Sequence, residues 1–201
     1  MKRTSSWLNE HFSDYYVKQA HKQKLPARSI FKLSEIDASE HLVNPNMLIV
    51  DLGAAPGGWS TYLAKRLMGR GKIWALDILN MPPIAGVNFL QGDFTDPQVV
   101  KKLMDSIPDK VDLVLSDMAP NLSGIAEFDQ MRSFKLASGA LNFAAQTLKP
   151  GGSFLIKLFQ GEEFQTFYQK VTAMFAKVKL LKPNASRARS KELFLLAKNF
   201  K

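Results

Sequence analysis

The residues able to do chemistry in this 201-residue chain cluster where short apolar runs end. The first run leads into Asp51-Leu52-Gly53-Ala54-Ala55-Pro56-Gly57-Gly58-Trp59. Small residues and glycines let a backbone turn tightly and approach a ligand, with a helix N-terminus behind them. The spacing is G-x-x-x-G-G, not the G-x-G-x-x-G of dinucleotide binders, and Pro56 removes an N–H that a pyrophosphate cradle would use. The loop therefore suits a nucleoside-type ligand without a diphosphate. Asp77 ends the second run, 24 residues after Gly53, close to the roughly 20-residue offset at which an acid meets ribose hydroxyls. Gln91-Gly92-Asp93 ends the third and could offer a carboxylate to an adenine amino group; Ser116-Asp117-Met118-Ala119-Pro120-Asn121 ends the fourth. A single Asp at such a place is often just a turn or cap residue, but three at successive run ends beside a glycine loop describe a pocket. The fifth run, Gly152-Ser153-Phe154-Leu155-Ile156-Lys157-Leu158-Phe159-Gln160-Gly161, carries Lys157 inside apolar sequence. A buried lysine beside another cation can have its pKa lowered into the range useful for a base, whereas an edge-strand lysine would snorkel to water.

These positions need a scaffold that lines up strand ends. Apolar runs over Met47–Leu52, Lys72–Asp77, Val87–Leu90, Val111–Ser116, Ser153–Leu158, Lys177–Leu181 and Leu193–Ala197 read as strands. Helices are expected over Trp59–Met68, Pro97–Ser106, Asp129–Leu148 and Glu162–Phe175, and over most of Asp14–Glu40. Lys149-Pro150-Gly151-Gly152 reads as a stop after the long helix. The pattern predicts one α/β domain over residues 1–201: a seven-stranded, mostly parallel, doubly wound sheet with helices on both faces. Ligands of such sheets sit at the carboxyl ends of the strands, near the switch in strand order.

Composition narrows the field. Apolar residues make up 46% and charged residues 22%, enough to build a core. The absence of cysteine excludes disulfides, thiolate catalysis and Cys-based zinc sites. No signal-peptide h-region or run of roughly 18 apolar residues occurs, so a soluble, cytoplasmic protein is expected. His11, His21 and His41 are widely spaced, without metal-ligand pattern, and no metal is expected. The net charge of +9 is unevenly placed: residues 1–32 carry +5, residues 170–201 carry +8, and the body between them −4. If the two ends meet, they form one positive face suited to nucleic acid; if not, they are solvated tails.

Several of these segments together resemble the FtsJ/RrmJ (RlmE) family of S-adenosylmethionine-dependent ribosomal RNA 2′-O-methyltransferases. They are Asp51–Ser60, Ser116–Asn121, Lys157-Leu158-Phe159-Gln160-Gly161-Glu162, Ser186–Ser190 and Lys32. The likeness runs nearly end to end from Trp7–Asp14, and Gly124–Phe134 departs most from the pattern. The resemblance implies a Rossmann-like class I methyltransferase fold, S-adenosylmethionine as cofactor and ribosomal RNA of the assembled large subunit as substrate, with a monomer expected. It implies a Lys–Asp–Lys–Glu tetrad of Lys32, Asp117, Lys157 and Glu192, with cofactor contacts at Gly57, Trp59, Asp77, Asp93 and Asp117. Without the family pattern, Lys32 and Glu192 read as ordinary surface charges. The chemistry expected is in-line transfer of a methyl group to a ribose 2′-hydroxyl, with Lys157 as general base, Asp117 orienting it, and Lys32 and Glu192 fixing the ribose. Lys18, Lys22, Lys24, Arg28, Lys182, Arg187 and Arg189 are expected to hold RNA phosphates, and Tyr15 and Tyr16 to stack or pack. The rival readings are an enzyme of the same chemistry acting on transfer RNA or an mRNA cap, an NAD-dependent oxidoreductase, and a non-catalytic RNA-binding assembly factor. The glycine spacing disfavours the oxidoreductase, and the complete tetrad disfavours the non-catalytic factor.

Overall fold

The computed structural model describes residues 14–120, 123–161, 163–187 and 190–201. Asn121, Glu162, Arg189, His11 and the Trp7–Ser13 stretch lie outside the described residues. Seven strands form one sheet: β1 (Leu48–Leu52), β2 (Lys72–Asp77), β3 (Val87–Gln91), β4 (Val111–Ser116), β5 (Leu148–Phe159), β6 (Phe175–Leu181) and β7 (Glu192–Phe200). Their order is β3-β2-β1-β4-β5-β7-β6. Strands β1 to β5 pair in parallel, while β7 runs antiparallel between β5 and β6. The helices are α1 (Tyr15–Lys22), α2 (Ser29–Glu40), α3 (Gly58–Leu67), α4 (Pro97–Ser106), α5 (Ala126–Thr147) and α6 (Phe164–Met174).

Continuous apolar runs make β1, β2 and β4 because both faces of the central strands are covered. On one face Ile49, Ile73, Leu113, Leu115, Leu155 and Phe194 pack under Leu33 and Ile36 of α2 and Trp59 and Leu63 of α3. On the other, Val50, Leu76, Val114, Phe154 and Ile156 pack under α4, α5 and α6. Asp14 starts α1 by accepting the N–H groups of Tyr16 and Val17 (2.9 and 3.2 Å). Asp96 starts α4 by accepting the Gln98 N–H, with Pro97 in its first turn.

One expectation is refined and two change. The helical stretch over Asp14–Glu40 is two helices, parted where Lys24 takes a left-handed conformation and Pro26 follows. The long helix starts at Ala126, ahead of Asp129. Lys149–Gly152 is not a stop between elements: β5 already begins at Leu148, which is buried and pairs with Val111. The Pro-Gly-Gly sequence is absorbed as a register shift in the β4–β5 pairing, with Gly151 at φ +81°. Phe154 is fully buried and stacks on Phe175 at 6.3 Å. Phe154→Ala should lower the unfolding free energy by about 3–5 kcal/mol in chemical denaturation; a loss under about 1 kcal/mol would mean this layer does not hold the sheet to its helices.

Candidate active site

The strand order reverses between β1 and β4, and the loops leaving these two strands are tied together. The Asp117 N–H donates to the Leu52 carbonyl (3.1 Å), and the Gly53 N–H reaches across to the Leu76 carbonyl (2.8 Å). Gly53 sits at φ +81° so close to Met118 that a Cβ would lie 2.8 Å from its backbone nitrogen. Gly57 sits at φ +101°, where a Cβ would come 2.9 Å from Ile84 and 3.1 Å from the Met81 sulfur. Both positions require glycine, for conformation and for room. The carboxylate of Asp77 holds the glycine loop, accepting the Ala55 N–H on one oxygen (2.9 Å) and the Leu79 N–H on the other (2.8 Å). Each oxygen keeps a lone pair for a ligand hydroxyl. Asp93 lies exposed beyond β3, and the N–H and hydroxyl of Thr95 hold its carboxyl below the usual range. The Trp59 indole is in the core: it donates to the Ser29 carbonyl (2.9 Å) and packs on Phe194 (5.9 Å). What Trp59 can offer a ligand at this loop is its main chain in the first turn of α3.

The expected tetrad forms two ion pairs. At the end of β5, the Lys157 Nζ donates to the Asp117 carbonyl (2.6 Å) and lies 2.8 Å from its carboxylate Oδ1. Their side chains are 9% and 17% exposed, so this pair is shielded from water. Lys32 of α2 pairs with Glu192, the first residue of β7, at 2.6 Å, with side chains 12% and 13% exposed. The antiparallel register places Phe194 beside Lys157, and the Lys32 Nζ lies 5.8 Å over the Phe194 ring. Phe194 thus lies under Lys32 and next to Lys157 in the sheet. Burial pushes the Glu192 carboxyl up, but Lys32 first, then Ser186 and Lys157, outweigh it and hold it below the usual glutamate range.

The two basic chain ends meet. Arg28 donates to the Ala185 carbonyl and pairs with Asp14, and Arg187 lies 3.4 Å from the same Asp14 carboxylate. These two arginines face a carboxylate and not open solvent, whereas Lys18, Lys22 and Lys24 are exposed. Lys182, also exposed, donates to the Ser190 carbonyl (3.0 Å). Tyr15 is exposed, while Tyr16 packs on Phe31 and donates to Glu35. No helix among the described residues is long and apolar enough to cross a membrane, and no His/Asp/Glu group among them could hold a metal ion.

An α/β sheet with a glycine loop at its switch point and acids at the ends of β2, β3 and β4 defines a Rossmann-like domain. Residues 25–200 match the family model described as FtsJ-like methyltransferase, and the chain belongs to that family. Among solved structures it is similar to a Plasmodium falciparum protein named as a ribosomal RNA methyltransferase. The two share 27% identity, the match covers 87% of this chain and 98% of that one, and the TM-score is 0.76. The fold is shared with a Clostridium thermocellum protein named as an rRNA methylase, at 16% identity over 84% of this chain and 97% of that one, TM-score 0.60. It is shared too with a Streptococcus mutans protein named as a methyltransferase and solved in complex with SAH, at 13% identity over 87% and 97%, TM-score 0.53.

One acid escaped the sequence reading as a group with chemistry of its own. Asp51, on β1, is fully buried; its Oδ2 accepts the Ser60 hydroxyl (2.7 Å), and its Oδ1 has no hydrogen-bond partner among the described residues. Burial pushes its carboxyl up to about 7; the nearby charges of Asp117 and Asp77 push the same way, and the Ser60 hydroxyl offsets this only in part. Its position inside an apolar run is the same signal that marked Lys157. Because the folded value lies above the unfolded one, the stability Asp51 contributes is full at acid pH and is lost as pH rises to about 7. Wild type should therefore lose stability relative to Asp51→Asn between about pH 4 and pH 7, by up to about 4 kcal/mol, and run parallel above that. A pH-independent difference in denaturation would contradict a buried, neutral carboxyl.

Proposed function

We propose that this chain methylates a ribose 2′-hydroxyl of ribosomal RNA, using S-adenosylmethionine. The observation that carries this reading is the pairing of Lys157 with Asp117 next to the Lys32–Glu192 pair, where the strand ends open beside the glycine loop. The cofactor fits the residues present. Asp77 keeps a lone pair on each carboxylate oxygen for ligand hydroxyls beside the loop it holds, and Pro56 suits a ligand without a diphosphate. Asp77 would hold the ribose hydroxyls, Asp93 the adenine amino group, and Gly57, the Trp59 main chain and Asp117 the remainder. S-adenosylmethionine, when bound, supplies a methyl group on a sulfonium that the ribose 2′-oxygen takes in line, with S-adenosylhomocysteine as the leaving group.

The protein's own task is to position the reactants and move one proton. To act, Lys157 first gives its ammonium proton to water; the free Nζ then accepts the 2′-hydroxyl proton as the new C–O bond forms. The Asp117 carbonyl and carboxylate fix the direction of Nζ. Lys32 and Glu192, anchored to each other, border the ribose. Lys18, Lys22, Lys24 and Lys182 supply exposed charge for phosphates. The name of the related Plasmodium falciparum protein supports ribosomal RNA as the substrate class; the sequence resemblance alone extends this to a uridine of 23S ribosomal RNA in the assembled large subunit. On this reading residues 1–201 are one catalytic domain, acting as a cytoplasmic monomer in ribosome biogenesis. Lys157→Ala should lower single-turnover methyl transfer by roughly 10²–10⁴-fold, with cofactor affinity little changed. Turnover that survives the substitution at unchanged binding would remove Lys157 from the base role.

A further inference from the structure

The basic ends of the chain carry few acids, and two acids near the N-terminal end make contacts to the C-terminal end. Glu35 of α2 accepts the backbone N–H of Asn184 at 2.6 Å and that of Ala185 at 3.2 Å, links that span about 150 residues of chain. The Tyr16 hydroxyl donates to the same carboxylate at 3.1 Å. Asp14 pairs with both Arg28 and Arg187, and Arg28 also donates to the Ala185 carbonyl. Segment 184–187 is thus gripped from both sides, through its N–H groups by Glu35 and through a carbonyl and a side chain by the Asp14–Arg28 pair.

This grip leads directly to the candidate active site. Lys32 and Glu35 are three residues apart on α2 and so share one face of the helix. Both reach the same stretch of chain, Glu35 at Asn184 and Ala185 and Lys32 at Glu192. Between these points the Ser190 N–H donates to the Arg187 carbonyl (2.9 Å), and the Glu192 N–H to the Ser190 hydroxyl (3.2 Å). Hydrogen bonds therefore run from the grip to the first residue of β7. We propose that Asp14 and Glu35 are positioning residues: they clasp segment 184–187 to the helix that carries Lys32, and this sets the Lys32–Glu192 pair for the reaction. The assignment rests on the methyl-transfer reading for its effect on rate, but the clasp itself is testable without a substrate.

The substrate-free readout is the titration of Glu192, followed by NMR in the full-length protein. In wild type Lys32, and after it Ser186 of the clasped segment and Lys157, hold it below the usual glutamate range. Glu35→Gln should move it upward, since a loosened segment lets Glu192 part from Lys32. The sign is diagnostic: removing the negative charge of Glu35 without moving the segment would shift Glu192 downward. Asp14→Asn keeps a helix-capping side chain and should give the same upward shift, which guards against a failure of Glu35→Gln to fold. The second readout is rate. Glu35→Gln should lower kcat at least about tenfold with the cofactor KM unchanged, and should add little to the loss in a Glu192→Gln background. A downward or absent shift of Glu192, or equal losses of kcat in both backgrounds, would overturn the proposal. If wild type moves no methyl group into ribosomal RNA, the reading of the reaction fails, while the titration still decides whether the clasp positions Glu192.

Discussion

A lysine ammonium held away from water must keep a counter-charge within reach, and much of this structure is arranged around that requirement at Lys157. The side chain is 9% exposed at the end of β5, and the carbonyl and carboxylate of Asp117 on the neighbouring strand end meet it. That pairing exists because β4 and β5 run parallel and in register through Ser116 and Ile156, so Asp117, as it leaves β4, lies beside Lys157, which stays in β5 opposite Phe194. The β1 loop is fixed to the same place by the Asp117 N–H on Leu52. The backbone that positions the lysine's partner thus also positions the glycine loop. A ligand seated on the loop and a proton acceptor at Nζ are brought close by the strand order itself.

The second ion pair is built by a different route. Lys32 comes from a helix laid across the sheet and Glu192 from an antiparallel strand inserted between β5 and the edge. Neither belongs to the parallel βα repeat. Phe194 joins the two halves: it is fully buried against Trp59, in register with Lys157 and beneath Lys32. The basic ends of the chain therefore do more than add charge for a polyanion. They close over one another through Asp14 and Glu35, and in doing so deliver two of the four side chains at the centre.

The parallel half of this architecture was legible in the sequence because its signals are local. Apolar runs, each ending in an acid or a glycine turn, mark β1 to β4, and the observed strands coincide with the runs to within a residue. Lys157 and Asp51 share one signal, a charge inside an apolar run, yet only the lysine was recognised as unusual. Asp51 reads as part of the glycine loop, because Asp is a common turn and cap residue. Lys32 and Glu192 could not be found from residue patterns, because their meaning lies in a contact spanning 160 residues of chain; only the family resemblance marked them. Arg28 shows a further limit: its charge suggests a phosphate contact, and no local pattern reveals that Asp14 and Ala185 engage it as well.

The central claim is that a lysine-centred cluster serves proton removal from a ribose hydroxyl and not methylation of a base. It is tested most directly by the chemical position of the methyl group. Large ribosomal subunits lacking the modification would be incubated with the protein and labelled S-adenosylmethionine, and the RNA then hydrolysed in alkali. A 2′-O-methyl ribose blocks cleavage of its own phosphodiester, so the account predicts label in an alkali-stable dinucleotide. Label recovered in a mononucleotide would place the methyl group on a base and contradict it.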